Sequence, residues 1–172
     1  MHRRHFLLIL LSFFAHKYAL SQDEGGEASL KAAFIYNFTK YIEWEGADNS
    51  GDFIIGIVGS SSISGPLEKI AQTNNVKGRR ILIRYYNSTD AIGFSHILFI
   101  PRNQSSSLPV ILEKTAKGTL TVSEEPGYAK MGSAFNFIIK NDKLKFEANL
   151  NAIYAANVKV SSQLLKLAIL ID

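Results

Sequence analysis

Between residues 53 and 123 the chain alternates short apolar, β-branched runs with polar stretches of helical spacing, and this alternation narrows the fold more than any other feature. Phe53–Val58 is a continuous apolar run, too short for a stable helix and patterned as a strand covered on both faces. The Gly- and Ser-rich stretch 59–65 breaks it, and Pro66 suits the first turn of a helix in which Leu67, Ile70 and Ala71 share one face. Residues 80–86 read as the next strand, 91–94 as a connector and 96–100 as a buried strand that Pro101 stops. A helix over 108–117 ends at Gly118, and 119–123 is a further strand. Strands separated by helices pair in parallel, so the expected class is α/β, with a mixed, largely parallel sheet flanked by helices.

The period then changes. Phe135, Phe137 and Ile139 alternate with polar residues, Asn141-Asp142 is a turn signal, and Leu144, Phe146 and Ala148 alternate again, which predicts a C-terminal β-hairpin with one buried face. With Phe146 and Ala148 turned inward, Glu147 and Asn149 project the other way. Two closing helices are expected over 151–156 and 161–171, the second with Leu164, Leu165, Leu167, Ala168 and Ile171 as its stripe. At the other end, 28–45 reads as a helix with Leu30, Phe34, Phe38 and Tyr41 on one face, widened by Ile35 and Ile42 and stopped by Gly46. Trp44 falls at its end, half exposed and open to a partner.

What precedes that helix sets the compartment. Arg3 and Arg4 stand ahead of an apolar run over 6–15, and Ala19 and Ser21 supply the small residues a signal peptidase reads. We expect a signal peptide over 1–21 cleaved before Gln22, a disordered lead over 22–27, and a single exported α/β domain over 28–172. The apolar run falls short of the roughly 20 residues a membrane span needs. Cleavage removes His2, His5 and His16 and leaves His96 alone, and the chain has no cysteine. Multi-ligand metal sets and thiol nucleophiles are then lacking. The formal charge of +4 falls to +1 without Arg3, Arg4 and Lys17. The densest basic run, Lys77, Arg79 and Arg80 with Arg84, reads as a solvated strand edge and not as a nucleic-acid face. The composition points to a binding protein without enzymatic activity, cofactor or metal.

Two sets of residues could do that binding. Ser60, Ser61 and Ser62 lie between a strand and a helix, where free backbone N–H groups attract small anions. The stretch lacks the lysine of a P-loop and the dinucleotide spacing, and its serines serve equally as helix caps. Ser123 and Glu124 follow another strand, and loops at the carboxyl ends of parallel strands line the ligand crevice. These five are the candidate ligand loops. Trp44, Glu147 and Asn149 are the candidate protein contacts, with helix capping as the alternative role for Asn149. A hydrolase pairing His96 with Ser123 or Glu124 ranks below both, because a triad is a matter of geometry.

Three stretches together resemble a known family. Lys31-Ala-Ala-Phe-Ile-Tyr-Asn-Phe-Thr-Lys-Tyr-Ile-Glu-Trp44 is similar to the opening helix of the YfiR-like periplasmic proteins. Leu120-Thr-Val-Ser-Glu124 with Gly127 is similar to their central strand and loop. Phe146-Glu-Ala-Asn149, followed by Val160-Ser-Ser-Gln-Leu-Leu-Lys-Leu-Ala168, resembles their carboxyl-terminal signature. The resemblance implies an α/β fold and a periplasmic regulator that binds the sensing domain of a membrane signalling protein, a diguanylate cyclase or a histidine kinase, and holds it inactive. It implies a homodimer as well, and it leaves room for a small ligand. The family's namesake carries cysteines that form disulfides, and this chain has none, so thiol redox control is excluded here.

Overall fold

A computed structural model describes residues 25–44 and 51–171. The predicted signal over 1–21 and residues 22–24 of the predicted lead lie outside them, as does Gly46. The elements in chain order are a helix α1 over 25–38, β1 (Ile42–Glu43), β2 (Phe53–Val58), α2 (Ser64–Thr73), β3 (Asn75–Val76), β4 (Arg79–Tyr86), β5 (Ile97–Ile100), α3 (Leu108–Lys114), β6 (Leu120–Ser123), β7 (Phe135–Lys140), β8 (Lys143–Asn149), α4 (Leu150–Ala155), β9 (Lys159–Val160), α5 (Ser162–Leu165) and β10 (Ile169–Ile171). Short 3-10 turns at Thr89–Ala91 and Arg102–Ser107 precede β5 and α3. Among the described residues the main sheet has eight strands, in the order β10-β8-β7-β6-β5-β2-β4-β3. Its centre is parallel, from β4 through β2, β5 and β6 to β7, and β8 runs antiparallel to β7.

Why the central strands look uniformly apolar is now visible. Phe53, Ile55 and Ile57 of β2, Ile97 and Phe99 of β5, and Leu120 and Val122 of β6 face one core. Val58, Leu98 and Ile100 face the other, under Leu108 and Ile111 of α3. The first core is capped by Ala32, Ile35 and Phe38 of α1 and Leu67 of α2, and it continues into an aromatic cluster of Phe38, Phe135, Phe137 and Phe146. Gly56 on β2 lets two elements meet: a methyl there would lie 2.5 Å from Ser95 Oγ and 2.6 Å from the Tyr86 ring. That closeness lets the Tyr86 hydroxyl bond Ser95 Oγ at 2.9 Å.

The hairpin forms as expected. Asn141 and Asp142 carry φ of 52° and 54°, the left-handed pair of a tight turn, and Phe137 pairs with Phe146 across it. Three expectations are corrected. Residues 25–27, placed in the disordered lead, form the first turn of α1. That helix stops at residue 38, where Thr39 Oγ1 donates to the Tyr36 carbonyl at 2.6 Å, and Ile42–Glu43 pairs instead with β9. The buried stripe is therefore Ala28, Lys31, Ala32, Ile35 and Phe38, while Leu30 and Tyr41 are 47% and 41% exposed. The last predicted helix, 161–171, is only α5, because Ile169–Ile171 adds to the open side of β8 as a parallel strand. The basic run does lie on a solvated strand edge as expected: Lys77-Gly78 turns from β3 into β4, with φ of 52° and 82°, and Arg80 and Arg84 are exposed on β4.

Candidate functional site

The chain leaves β2 through α2 to reach β4 on one side, then crosses back to place β5 on the other side of β2. The loops after β2 and β5 therefore part to opposite faces of the sheet, α2 packing in one core and α3 in the other. Where neighbouring loops diverge they leave a crevice at the strands' carboxyl ends. An open depression of about 640 Å³ lies there, lined by Ser60, Ser61, Ser62, Pro101, Arg102, Asn103 and Glu124. Four of the five candidate ligand residues thus come together.

Asn103 fastens the two loops, its Nδ2 donating to the Ser60 carbonyl at 3.1 Å. Glu124 accepts from Lys31 Nζ at 2.6 Å and from the Arg102 backbone N–H at 3.2 Å. Lys31 is itself nearly buried and also pairs with Glu27 at 2.5 Å, while the Arg102 side chain pairs with Glu125 at 2.8 Å. Three carboxylates thus offset the two cations beside the depression, and the site is polar with no excess positive charge, not the anion cradle a Ser/Gly loop suggests. The serines do not cap α2, whose N-cap Ile63 has no side-chain bond; only a 3.4 Å contact from Ile63 N to Ser61 Oγ remains. Sequence reasoning missed Arg102 and Asn103, which no motif marks, and Lys31, which stands in the family-like opening helix with nothing to show that it reaches Glu124; only the fold brings them here.

Ser123 does not reach the depression. It is fully buried on the opposite side of its strand, and its Oγ donates to Asn136 Oδ1 at 2.8 Å. Asn136 Nδ2 passes the chain on to Glu147 Oε2 at 2.9 Å, so a buried hydrogen-bonded line crosses β6, β7 and β8 behind the aromatic core. Glu147 ends that line half-buried. Asn149 is 8% exposed; its Oδ1 accepts from Ala152 N at 2.9 Å as the cap of α4, and its Nδ2 donates to the Ala129 carbonyl at 2.7 Å. Capping, not surface display, is what its side chain does.

Trp44 is also corrected. It is 8% exposed, not half exposed, because α1 ends early and the indole drops against Phe53, with Nε1 donating to the His96 carbonyl at 2.9 Å. His96 stacks on Phe53 at 4.5 Å, its Nδ1 accepts from Ile54 N at 3.0 Å, and Arg79 Nη2 lies 3.1 Å from Nε2. Burial, then the Arg79 charge, pushes its pKa down to about 4. His96 precedes β5, whereas Ser123 pairs with Ile100 at the far end of that strand, which separates the two by roughly four residues or ~13 Å. The hydrolase arrangement is absent.

The matched length decides the family. The model of the YfiR/HmsC-like family matches residues 28–169. The chain belongs to the YfiR/HmsC-like family. This family is periplasmic and consists in general of regulators of the cyclic di-GMP pathway that act with membrane signalling proteins. Among solved structures, the chain is similar to a conserved domain protein from Vibrio cholerae, with a TM-score of 0.58 at 11% identity over 84% of this chain. It spans 60% of that protein's length, and the likeness shows the fold alone. A structure from Bacteroides fragilis aligns with a TM-score of 0.32 at 11% identity over 64% of this chain and 52% of that one, too weak to carry an argument. The segments that resemble YfiR-like proteins fold into α1 with β1, into β6, and into β8 with β9 and α5, so the family's sequence pattern here is mostly a pattern of core positions.

Proposed function

We propose that the exported chain is a non-catalytic periplasmic regulator that holds a membrane diguanylate cyclase or sensor histidine kinase inactive by direct contact. The family match over 28–169 carries this reading. The chemistry agrees with it: His96 is locked between Ile54 N–H and Arg79, and Lys31 is neutralised by two carboxylates, so both serve the fold. Inhibition of this kind needs only a higher affinity for one state of the partner. The test reconstitutes the cyclase or kinase encoded beside this chain in liposomes. Added mature chain is expected to lower its turnover at least tenfold, and undiminished turnover at saturating protein overturns the proposal.

A second reading is favoured by the depression at the switch point, where Ser60, Ser61, Ser62 and Glu124 converge. A small polar metabolite bound there would touch the loops of both faces and so tune an interface. A ligand present at 100 times its Kd raises stability by about 2.7 kcal/mol. A thermal-shift screen of periplasmic metabolites, repeated on Asn103→Ala, is expected to find a stabilising compound whose effect the substitution reduces. Flat melting curves remove this reading. The homodimer stands as a further proposal, and sedimentation giving only the monomer mass would dismiss it.

A further inference from the structure

The two edges of the sheet differ. On one side β10 pairs with β8 only at Glu147–Asn149, and on the other β3 pairs with β4 only at Arg79 and Arg80, so the longer uncovered run is Ile81 to Tyr86, where the outer side of β4 has no strand beside it among the described residues. The Tyr86 carbonyl accepts from Gly59 N at 2.8 Å, which turns the backbone groups of Tyr86, Arg84 and Leu82 toward β2. By the alternation of a strand, those of Ile81, Ile83 and Tyr85 point out of the sheet. An edge of this kind is a template for one more strand.

Beside this edge runs a groove of about 630 Å³ whose far wall is Glu68, Ala71 and Gln72 of α2 and whose near wall is Ile81, Ile83 and Tyr85. The Tyr85 hydroxyl donates to Glu68 at 2.5 Å and marks one end, and the β3–β4 turn marks the other. A strand laid on β4 would place alternate side chains into this groove and the others beside Leu82 and Arg84. Arg80 is committed to Asp52, but Lys69, Lys77 and Arg84 are exposed and make no ion pair among the described residues. Two copies of this chain joined edge to edge would set Arg80 and Arg84 of one against those of the other, like charge against like.

We infer that the β4 edge is a strand-addition site for an extended segment of a partner protein in which apolar residues alternate with acidic ones. The apolar residues enter the groove against α2 and the acidic ones face Arg84. This rests on the reading of the chain as a regulator that works by protein contact, and it names where and how the partner is held. Main-chain hydrogen bonds supply the affinity, and the alternating side chains supply the choice of partner.

Residue-by-residue amide exchange on the mature chain tests it, with a short extended peptide alternating valine and glutamate as the probe. The amides of Ile81, Ile83 and Tyr85 are expected to gain at least tenfold protection, and those of Ile169–Ile171 none. The same peptide with lysine for glutamate, or with alternate amides methylated, is expected to protect none of them. Arg84→Glu, an exposed change that leaves the fold alone, should weaken the glutamate peptide about tenfold. Ile83→Pro removes an outward N–H together with a side chain that packs on the core, so it is read beside Ile83→Val, which keeps the N–H and most of the packing: the proline variant should abolish the protection at Ile81 and Tyr85 and the valine variant should retain it. No protection by the glutamate peptide, or equal protection by the lysine peptide, overturns the inference. So does protection that rises with protein concentration alone, which would make a second copy the occupant. If the wild type and Arg84→Glu inhibit the cyclase or kinase equally, this site falls and the regulator stands. If the peptide binds while the wild type inhibits nothing, the regulator falls and the site stands.

Discussion

Phe38→Ala is expected to lower the unfolding free energy by about 3–5 kcal/mol. Phe38 is 1% exposed, and its ring centroid lies 4.9 Å from that of Phe135, 5.0 Å from Phe146 and 6.1 Å from both Phe34 and Phe137. Truncation removes the hydrophobic transfer of a whole ring, and it leaves a cavity walled by rigid aromatics that cannot collapse into it. The cavity would open where α1 docks on β7 and β8, so the helix and the hairpin should loosen together. A domain of this size is stable by only about 5–15 kcal/mol, so the loss brings it close to unfolding at 37 °C. Phe38→Leu, which keeps most of the volume, should cost about half as much. Urea unfolding followed by circular dichroism and by Trp44 fluorescence measures both. A loss under 1 kcal/mol for the alanine variant would mean that α1 does not seat on this cluster.

Acid is expected to weaken the fold through one residue. His96 in the folded chain has its pKa pushed down to about 4 from the 6.5 usual for a free imidazole. As the pH falls below 6.5 the unfolded chain takes up a proton that the folded chain refuses, so stability is lost from there downward and the loss levels off below about 4. Linkage puts the loss at about 2 kcal/mol between pH 7.5 and 5 and at about 3 kcal/mol once the folded form also titrates. The cause is geometric: a proton on Nδ1 would displace the Ile54 N–H, and one on Nε2 would face the Arg79 guanidinium. His96→Gln should remove the slope between pH 6.5 and 4, whatever it does to stability at pH 7.5. Asp52 and Asp90 do not mimic this effect. Arg80 and Lys114 hold their carboxyls below the usual carboxylate range, so their contribution is lost only in stronger acid. A wild-type unfolding midpoint that is flat from pH 7 to 5 would contradict the buried, neutral imidazole.

How much of this was readable in advance depended on whether a residue's environment follows from its immediate neighbours in sequence. β2 and β5 are apolar on both faces because helices cover both faces, and a short, branched, continuous run has few other ways to fold; β6 is apolar on one face only, with Thr121 and Ser123 hydrogen-bonded on the other. The hairpin announced itself through its two-residue period and through Asn141-Asp142, side chains that tolerate the left-handed turn. The final apolar run was a different case. Leu-Ala-Ile-Leu-Ile satisfies both periods, and it became a strand only because β8 presented a free edge. Trp44 was misjudged for a similar reason, since its burial depends on α1 ending early and on Phe53 and His96 arriving from strands elsewhere in the chain.

The ordering of apolar and polar residues along this chain was enough to determine its class, its parallel centre, its hairpin and the poverty of its catalytic groups. All of these follow from local spacing and from which residue types are present at all. The tertiary structure alone decided that Ser123 turns away from the crevice while Arg102 and Asn103 line it and Lys31 holds Glu124 beside it, that His96 is held neutral, and that β4 keeps an open side. Those outcomes depend on which strand lies beside which, and strand order is set by packing between residues far apart in sequence, where no local period carries the information.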